Sequence, residues 1–277
     1  MNHQESSFKD SGNRQIHYQS WLPEGEIKAV LLVVHGLAEH SGRYMNIVNR
    51  FVPLGYAVYA ADHPGHGRSA GLRGYVDKFT DYTDTLAEFS QMIGGLQKGK
   101  PLFLVGHSMG GLIVSLHLLS HQHELQGAVL SGPGVKVPDN ISSLTIFAGK
   151  ILSTLLPRTG ILKLEEAAVS RDLAVVRAYR DDPLVYHGKI SARLGAEMLE
   201  AMERIEADAS RITLPILILQ GTADRLVPPS GAQMLYDRVS SADKKLIFYD
   251  GLYHEIFNEP EHDRVLSDVE AWLAAHL

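Results

Sequence analysis

PLFLVGHSMGGLIVSLHLLS, residues 101–120, holds three signals in a row. Pro101 to Val105 is a short apolar run with no charge, the pattern of a strand buried on both faces. Gly106-His107-Ser108-Met109-Gly110, followed by Gly111, is a G-x-S-x-G turn. Residues 109–120 then continue with helical spacing. A sharp strand-to-helix turn forces its central residue into strained backbone angles. It also crowds the flanking positions, which glycine relieves. Such a turn lifts the Ser108 hydroxyl above the sheet and aims the first helix amides at whatever that hydroxyl attacks. Ser108 is therefore the candidate nucleophile. The plainer reading is a glycine-rich turn with an incidental serine, and the strand and helix on either side argue against it.

Outward from this turn, strands alternate with helical patterns, which predicts a mostly parallel sheet covered on both faces. Further apolar runs are AVLLVV at 29–34, YAVYAA at 56–61, GAVLS at 127–131, LPILIL at 214–219 and KKLIFY at 244–249. Segments 4–9 and 14–21, joined through Ser11-Gly12-Asn13, read as an edge hairpin, making eight strands in all. Helical spacing covers 42–53, 77–95, 230–239 and 261–276, with Asp77 as the expected N-cap of the second. From Pro133 to Arg211 nearly 80 residues pass with no convincing strand and read as helical throughout. This predicts a helical cap, 133–211, inserted after the sixth strand of a core formed by 1–132 and 212–277. Ligands of open parallel sheets bind beyond the carboxyl ends of the strands, where such a cap would shape the pocket. A second helical layer with no part in binding is the alternative.

A serine hydroxyl needs a base in reach, and the base needs an orienting acid. In the α/β-hydrolase fold the chain order is Ser, then Asp or Glu, then His. Asp224 follows the run LPILIL, and His254 follows KKLIFY, both just past strand ends. Ser108, Asp224 and His254 are thus the expected catalytic triad. His35, His63, His66 and His107 precede or adjoin the turn, the wrong order for the base. His63-x-x-His66 lacks an evident third ligand nearby and reads as a hydrogen-bonding loop rather than a metal site. Asp250 is the rival acid, but it sits four residues from His254 and reads as a turn residue. A tetrahedral intermediate needs two donors. The Met109 N–H and the Leu37 N–H, in the loop after the third strand, are the candidates.

Residues His35 to Tyr44 (HGLAEHSGRY), Asp62 to Ser69 (DHPGHGRS), the GHSMGG turn and Leu219 to Val227 (LQGTADRLV) together resemble the monoacylglycerol lipases, in the branch that includes lysophospholipases. The matches span most of the chain outside the cap, and EHSGRY is far more specific than the turn alone. The resemblance implies hydrolysis of a monoacylglycerol to glycerol and fatty acid without metal or organic cofactor. It also implies that Glu39 and Arg43 help build the polar end holding the glycerol head; His107 is a further expected substrate contact. Lying four apart, Glu39 and Arg43 could instead pair as a surface salt bridge. Mammalian members carry Cys and His where Val227 and Phe257 stand here, and this chain has no cysteine at all. A bacterial-type member fits better.

In the cap, Ile141, Leu144, Phe147, Ile151, Leu152, Leu155 and Leu156 form a broad apolar set. They suit an acyl tunnel, a face that dips into a lipid surface, or ordinary packing against the core. With Val227, the residues Ile141, Leu144, Phe147 and Ile151 are the expected substrate contacts. Composition narrows the rest. Hydrophobic residues make up 45% and charged residues 21%, an ordinary globular balance. A net charge of −6 argues against nucleic acid as a partner. The absence of cysteine excludes disulfides, thiolate metal sites and a cysteine nucleophile. No apolar run suits a secretory signal or a membrane span, so the expectation is a cytoplasmic protein with transient lipid contact. The rival readings are a lysophospholipase, a short-chain carboxylesterase, and a non-catalytic binding protein on the same fold.

Overall fold

The computed structural model describes residues 1–137 and 143–277, in 143–148 the backbone alone. The apolar runs become strands. β1 (Asn2–Lys9) and β2 (Gln15–Leu22) form the antiparallel edge hairpin. Its turn closes through Asn13 N–H on the Asp10 carbonyl at 2.8 Å, with Asn13 at φ +58°. β3 (Ala29–Val34) and β4 (Tyr56–Ala61) flank α1 (Met45–Phe51), and α2 (Thr80–Leu96) leads to β5 (Leu102–His107). α3 (Met109–His121) and β6 (Gly127–Ser131) follow. Between β6 and the next sheet strand come α4 (Ser143–Leu155), β7 (Gly160–Leu162), α5 (Leu173–Asp181), β8 (Ile190–Ser191) and α6 (Ala192–Asp208). β9 (Ile216–Gly221), α7 (Pro229–Arg238), β10 (Lys244–Tyr249) and α8 (His262–Ala274) complete the chain.

The main sheet has eight strands in the order β1-β2-β4-β3-β5-β6-β9-β10, parallel from β4 to β10. After β3 the chain places β4 on one side, then crosses to place β5 on the other. That reversal opens a crevice between the carboxyl ends of β3 and β5, the usual ligand position in such sheets. The loop at Leu37 and the turn at Ser108 both emerge there. Alternation along β3 explains why the run is apolar throughout. Val30, Leu32 and Val34 pack under α2 and α3, while Leu31 and Val33 pack under α1 and α8.

Three local expectations change. Asp77 does not cap α2: it accepts from the Tyr75 hydroxyl, and the Glu197 carboxylate on α6 takes the Phe79 N–H at 2.8 Å instead. The cap comes from a residue 118 positions away. In 165–180 only the second half is α-helix, because Asp172 caps at Ala174 N–H and starts α5 there. The interval also contains a strand pair, β7 with β8, too short to show as an apolar run. α6 packs against the main core through Leu194, Ala201 and Ile205. Among the described residues no helix is long and apolar enough to cross a membrane.

Candidate active site

Ser108 sits at φ +54°, ψ −119°, one of three non-glycine residues with positive φ among those described. Holding a side chain there costs on the order of 1–3 kcal/mol, which surrounding structure must offset. The Ser108 N–H donates to the Ser131 carbonyl at 3.0 Å, and its own carbonyl accepts from Gly134 N–H at 2.9 Å. The flanking glycines are forced by space. A Cβ on Gly110 would lie 2.0 Å from the Val34 carbonyl oxygen and 2.5 Å from that of His35. A Cβ on Gly106 would lie 2.7 Å from the Gly110 carbonyl oxygen. The Val34 oxygen belongs to a central strand of the sheet and cannot move aside. Gly110→Ala should therefore lower the melting temperature by roughly 5–10 °C, the equivalent of about 2–3 kcal/mol of overpacking at this chain length. A thermal scan showing no shift would mean that the turn is looser than this.

Asp224 and His254 leave the ends of β9 and β10 on loops joined by the Ala223 N–H to Leu252 carbonyl bond. His254 Nδ1 donates to Asp224 Oδ2 at 2.7 Å, both side chains being buried. Gln220 Nε2 also donates to Oδ2, while Oδ1 accepts from the Leu226 and Val227 N–H groups. Burial pushes the Asp224 pKa up, but the His254 imidazole and these N–H donors more than offset it, and it stays below the usual carboxylate value. For His254, burial pushes the pKa down. The Asp224 carboxylate, helped by Glu255 and Glu39, overcomes that and holds it above the ordinary imidazole value. With the proton on Nδ1, the neutral ring keeps its Nε2 lone pair free. Ser108 and His254 open onto one cavity of about 480 Å³. Among the described residues neither the Ser108 hydroxyl nor His254 Nε2 has a protein hydrogen-bond partner.

The two expected oxyanion donors line the same cavity. Neither the Leu37 nor the Met109 N–H meets an acceptor among the described residues. The Leu37 loop is held from behind, where Glu39 Oε1 accepts from Gly36 N–H at 2.6 Å and from the Tyr44 hydroxyl at 2.7 Å. His107 also lines the cavity, 4.7 Å ring to ring from His254. Burial and the neighbouring His254 push its pKa down to about 3, so it stands there neutral.

Glu39 and Arg43 do pair, at 3.1 Å, but not on the surface: their side chains are 5% and 9% exposed. The larger share of Arg43 goes to a residue that the sequence reading missed. Nη1 and Nη2 of Arg43 donate to both oxygens of Glu255, at 2.6 and 2.8 Å. The Tyr179 ring from α5 covers the guanidinium at 4.6 Å. Glu39 and Glu255 line the cavity, whereas Arg43 lies behind them. The immediate neighbourhood of His254 was the only sequence signal for Glu255.

Of the apolar contacts expected, Val227 lines the cavity. Ile141 falls outside the described residues, and Leu144 and Phe147 lie on α4 where the backbone alone is described. Ile151 is 46% exposed and is not in the wall, where α4 contributes Gly149 instead. Two positions on a helix differ by about 200°, so these residues face opposite ways. Much of the wall comes from α6, with Met202 one turn beyond Met198 and Leu199. That spacing was visible as an amphipathic stripe.

The competing residues have other work. His63 N–H donates to His35 Nε2, and the His66 ring bonds the Pro64 carbonyl, as a hydrogen-bonding loop requires. No group of three or more metal-ligating side chains is gathered among the described residues. Asp250 is exposed and accepts from the Thr222 hydroxyl, away from His254.

Comparison with known proteins agrees with this fold. The family described as "Serine aminopeptidase, S33" matches residues 25–261. A monoacylglycerol lipase of Mycolicibacterium smegmatis is 39% identical over 99% of this chain and 98% of its own. A mouse monoglyceride lipase is 37% identical over 92% of this chain and 85% of its own. The crystal structure of a monoacylglycerol lipase from Paleococcus ferrophilus superposes with a TM-score of 0.84 at 32% identity, covering 100% of both chains. On these matches the chain belongs to the serine aminopeptidase S33 family of α/β-hydrolases, within its monoacylglycerol lipase branch.

Proposed function

We propose that this chain hydrolyses monoacylglycerols to glycerol and free fatty acid through an acyl-enzyme on Ser108. One observation carries the reading. The strained serine and His254, whose ring the buried Asp224 holds, open onto a single cavity that is polar beside Ser108 and apolar towards α6. Ser108 Oγ attacks the ester carbonyl as His254 Nε2 takes its proton. Asp224 holds the ring in the required tautomer and stabilises the imidazolium. The Leu37 and Met109 N–H groups receive the oxyanion. His254 then passes the proton to the departing glycerol oxygen. Water, deprotonated by the same nitrogen, releases the fatty acid and frees Ser108.

Substrate preference follows from the two ends. Burying about ten methylenes against Met198, Met202 and Leu199 supplies on the order of 8 kcal/mol before entropic costs. The inserted segment 133–211 acts as the cap that provides this wall. At the polar end, among the described residues Glu39 Oε2 accepts only from Arg43, and it has capacity left for a hydroxyl donor. Carboxylates at this end favour an uncharged polyol head and disfavour a phosphate. Ile161 and Leu162, at 43% and 51% exposed, stand at the cavity rim, and Leu155 and Leu156 are exposed nearby in sequence. Such an apolar edge suits contact with a lipid surface.

Initial rates on monoacylglycerols, diacylglycerols, lysophospholipids and short p-nitrophenyl esters test this, with each lipid presented both as monomer and on vesicles. Monoacylglycerol should lead, and vesicles should raise its rate. A faster rate on a lysophospholipid would replace the proposed substrate, and equal rates in both presentations would remove the lipid contact.

A further inference from the structure

His254 is followed in the chain by Glu255, and no step above uses that buried carboxylate. Its two oxygens take the Arg43 fork at 2.6 and 2.8 Å, and Asn258 Nδ2 adds a third bond at 2.9 Å. Arg43 Nη1 reaches on to Glu39 Oε2, and Glu39 Oε1 grips Gly36 N–H, the residue before Leu37. A continuous run of charge-assisted bonds therefore joins the loop of the base to the loop of the oxyanion donor, through an Arg43–Glu255 pair 212 residues apart. A second strap lies beside it, from Asn46 Nδ2 to the Phe257 carbonyl at 2.9 Å. Tyr179 closes the guanidinium off from solvent.

We infer that Glu255 is a positioning residue for the hydrolysis: through Arg43 and Glu39 it holds His254 and the Leu37 N–H in a common register. The inference rests on the ester-hydrolase reading. Attack on the carbonyl and capture of the oxyanion must coincide at one carbon, and displacement of either partner by about 1 Å can cost a hundredfold in rate. The planar fork of arginine suits this task, because one guanidinium satisfies two carboxylates in fixed directions, which a lysine cannot do.

The cluster has an electrostatic side as well. The charged or titratable groups around the His254 ring are Asp224, Glu255, Glu39 and the neutral His107, with Arg43 behind the two glutamates. Burial pushes the Glu255 pKa up, but the Arg43 guanidinium outweighs it and holds the carboxyl well below the usual carboxylate range. Its charge favours the imidazolium. His254 must be neutral to accept the serine proton, so activity is lost as pH falls through its pKa. Removing the Glu255 charge should move that acid limb to lower pH.

Glu255→Gln keeps the shape and removes the charge. Measured per active site, titrated with a fluorophosphonate, kcat should fall by roughly 10- to 100-fold with KM changed less than about threefold. The loss should be the same on p-nitrophenyl butyrate, which has no glycerol head, as on a monoacylglycerol. The acid limb should shift down. Glu255→Asp should restore part of kcat. Should Glu255→Gln not fold, Arg43→Lys must show the same loss on both substrates. Wild-type kcat with an unmoved acid limb, or an Arg43→Lys enzyme of normal kcat, would overturn the inference. A loss confined to monoacylglycerol would overturn it too, making Glu255 a head-group contact. Failure of the wild-type protein to react with either the probe or any ester would instead remove the hydrolase reading on which it stands.

Discussion

Ser108→Ala should lower kcat for ester hydrolysis by about 10⁶-fold and leave the melting temperature within about 2 °C of the wild type. Among the described residues the Ser108 hydroxyl makes no hydrogen bond, so its removal leaves none of their buried groups unpaired. Alanine carries the same Cβ and the same backbone strain at φ +54°, so the turn has no reason to relax. What disappears is the oxygen that, on the proposed function, forms the acyl-enzyme. The residual rate should come from the oxyanion donors and the binding cavity acting on water. Purified protein, circular dichroism and a fluorophosphonate label give the test. Turnover within about a hundredfold of the wild type would end the assignment of Ser108.

Asp224→Asn should cost about 10⁴-fold in kcat with the geometry nearly unchanged. Oδ1 of Asp224 is committed to the Leu226 and Val227 N–H groups. In the asparagine variant the carbonyl oxygen must stay with those donors, which turns the amide NH₂ toward His254 Nδ1. Two N–H donors cannot face each other at 2.7 Å, so the imidazole must shift its proton to Nε2. That nitrogen can no longer accept from serine. Steady-state kinetics with imidazole proton resonances in the same sample check both halves. A variant within about tenfold of the wild type would make Asp224 a loop-fixing residue rather than the acid of the site.

Much of this was legible in the sequence because it depends on neighbours along the chain. β3, β4, β6 and β10 run over the same residues as their apolar runs, and the glycines at 106 and 110 announce a turn with no room for side chains. The chain order of Ser108, Asp224 and His254 located the groups that the fold gathers. What stayed hidden depends on partners far away. Asp77 looked like a helix cap, but a carboxylate from α6 occupies that role. Arg43 and Glu39 were expected at the head-group end, with a surface pair as the alternative, and only the return of the chain at 255 shows them as a buried pair. Ile151 looked like a tunnel residue, yet apolarity alone does not say which way a helix is turned.

α6 shows Leu194, Ala201 and Ile205 to the core and, on an adjoining face, Met198 and Met202 to the cavity. On the proposed function, selectivity for acyl length and resistance to heat are thus written on the same helix. Any drift that reshapes the tunnel floor also strains a foundation beam, so tailoring the enzyme to a shorter or longer lipid calls for compensating changes beneath it. The flexible thioethers at 198 and 202 ease that conflict, since they can refill an altered space before the helix axis has to move.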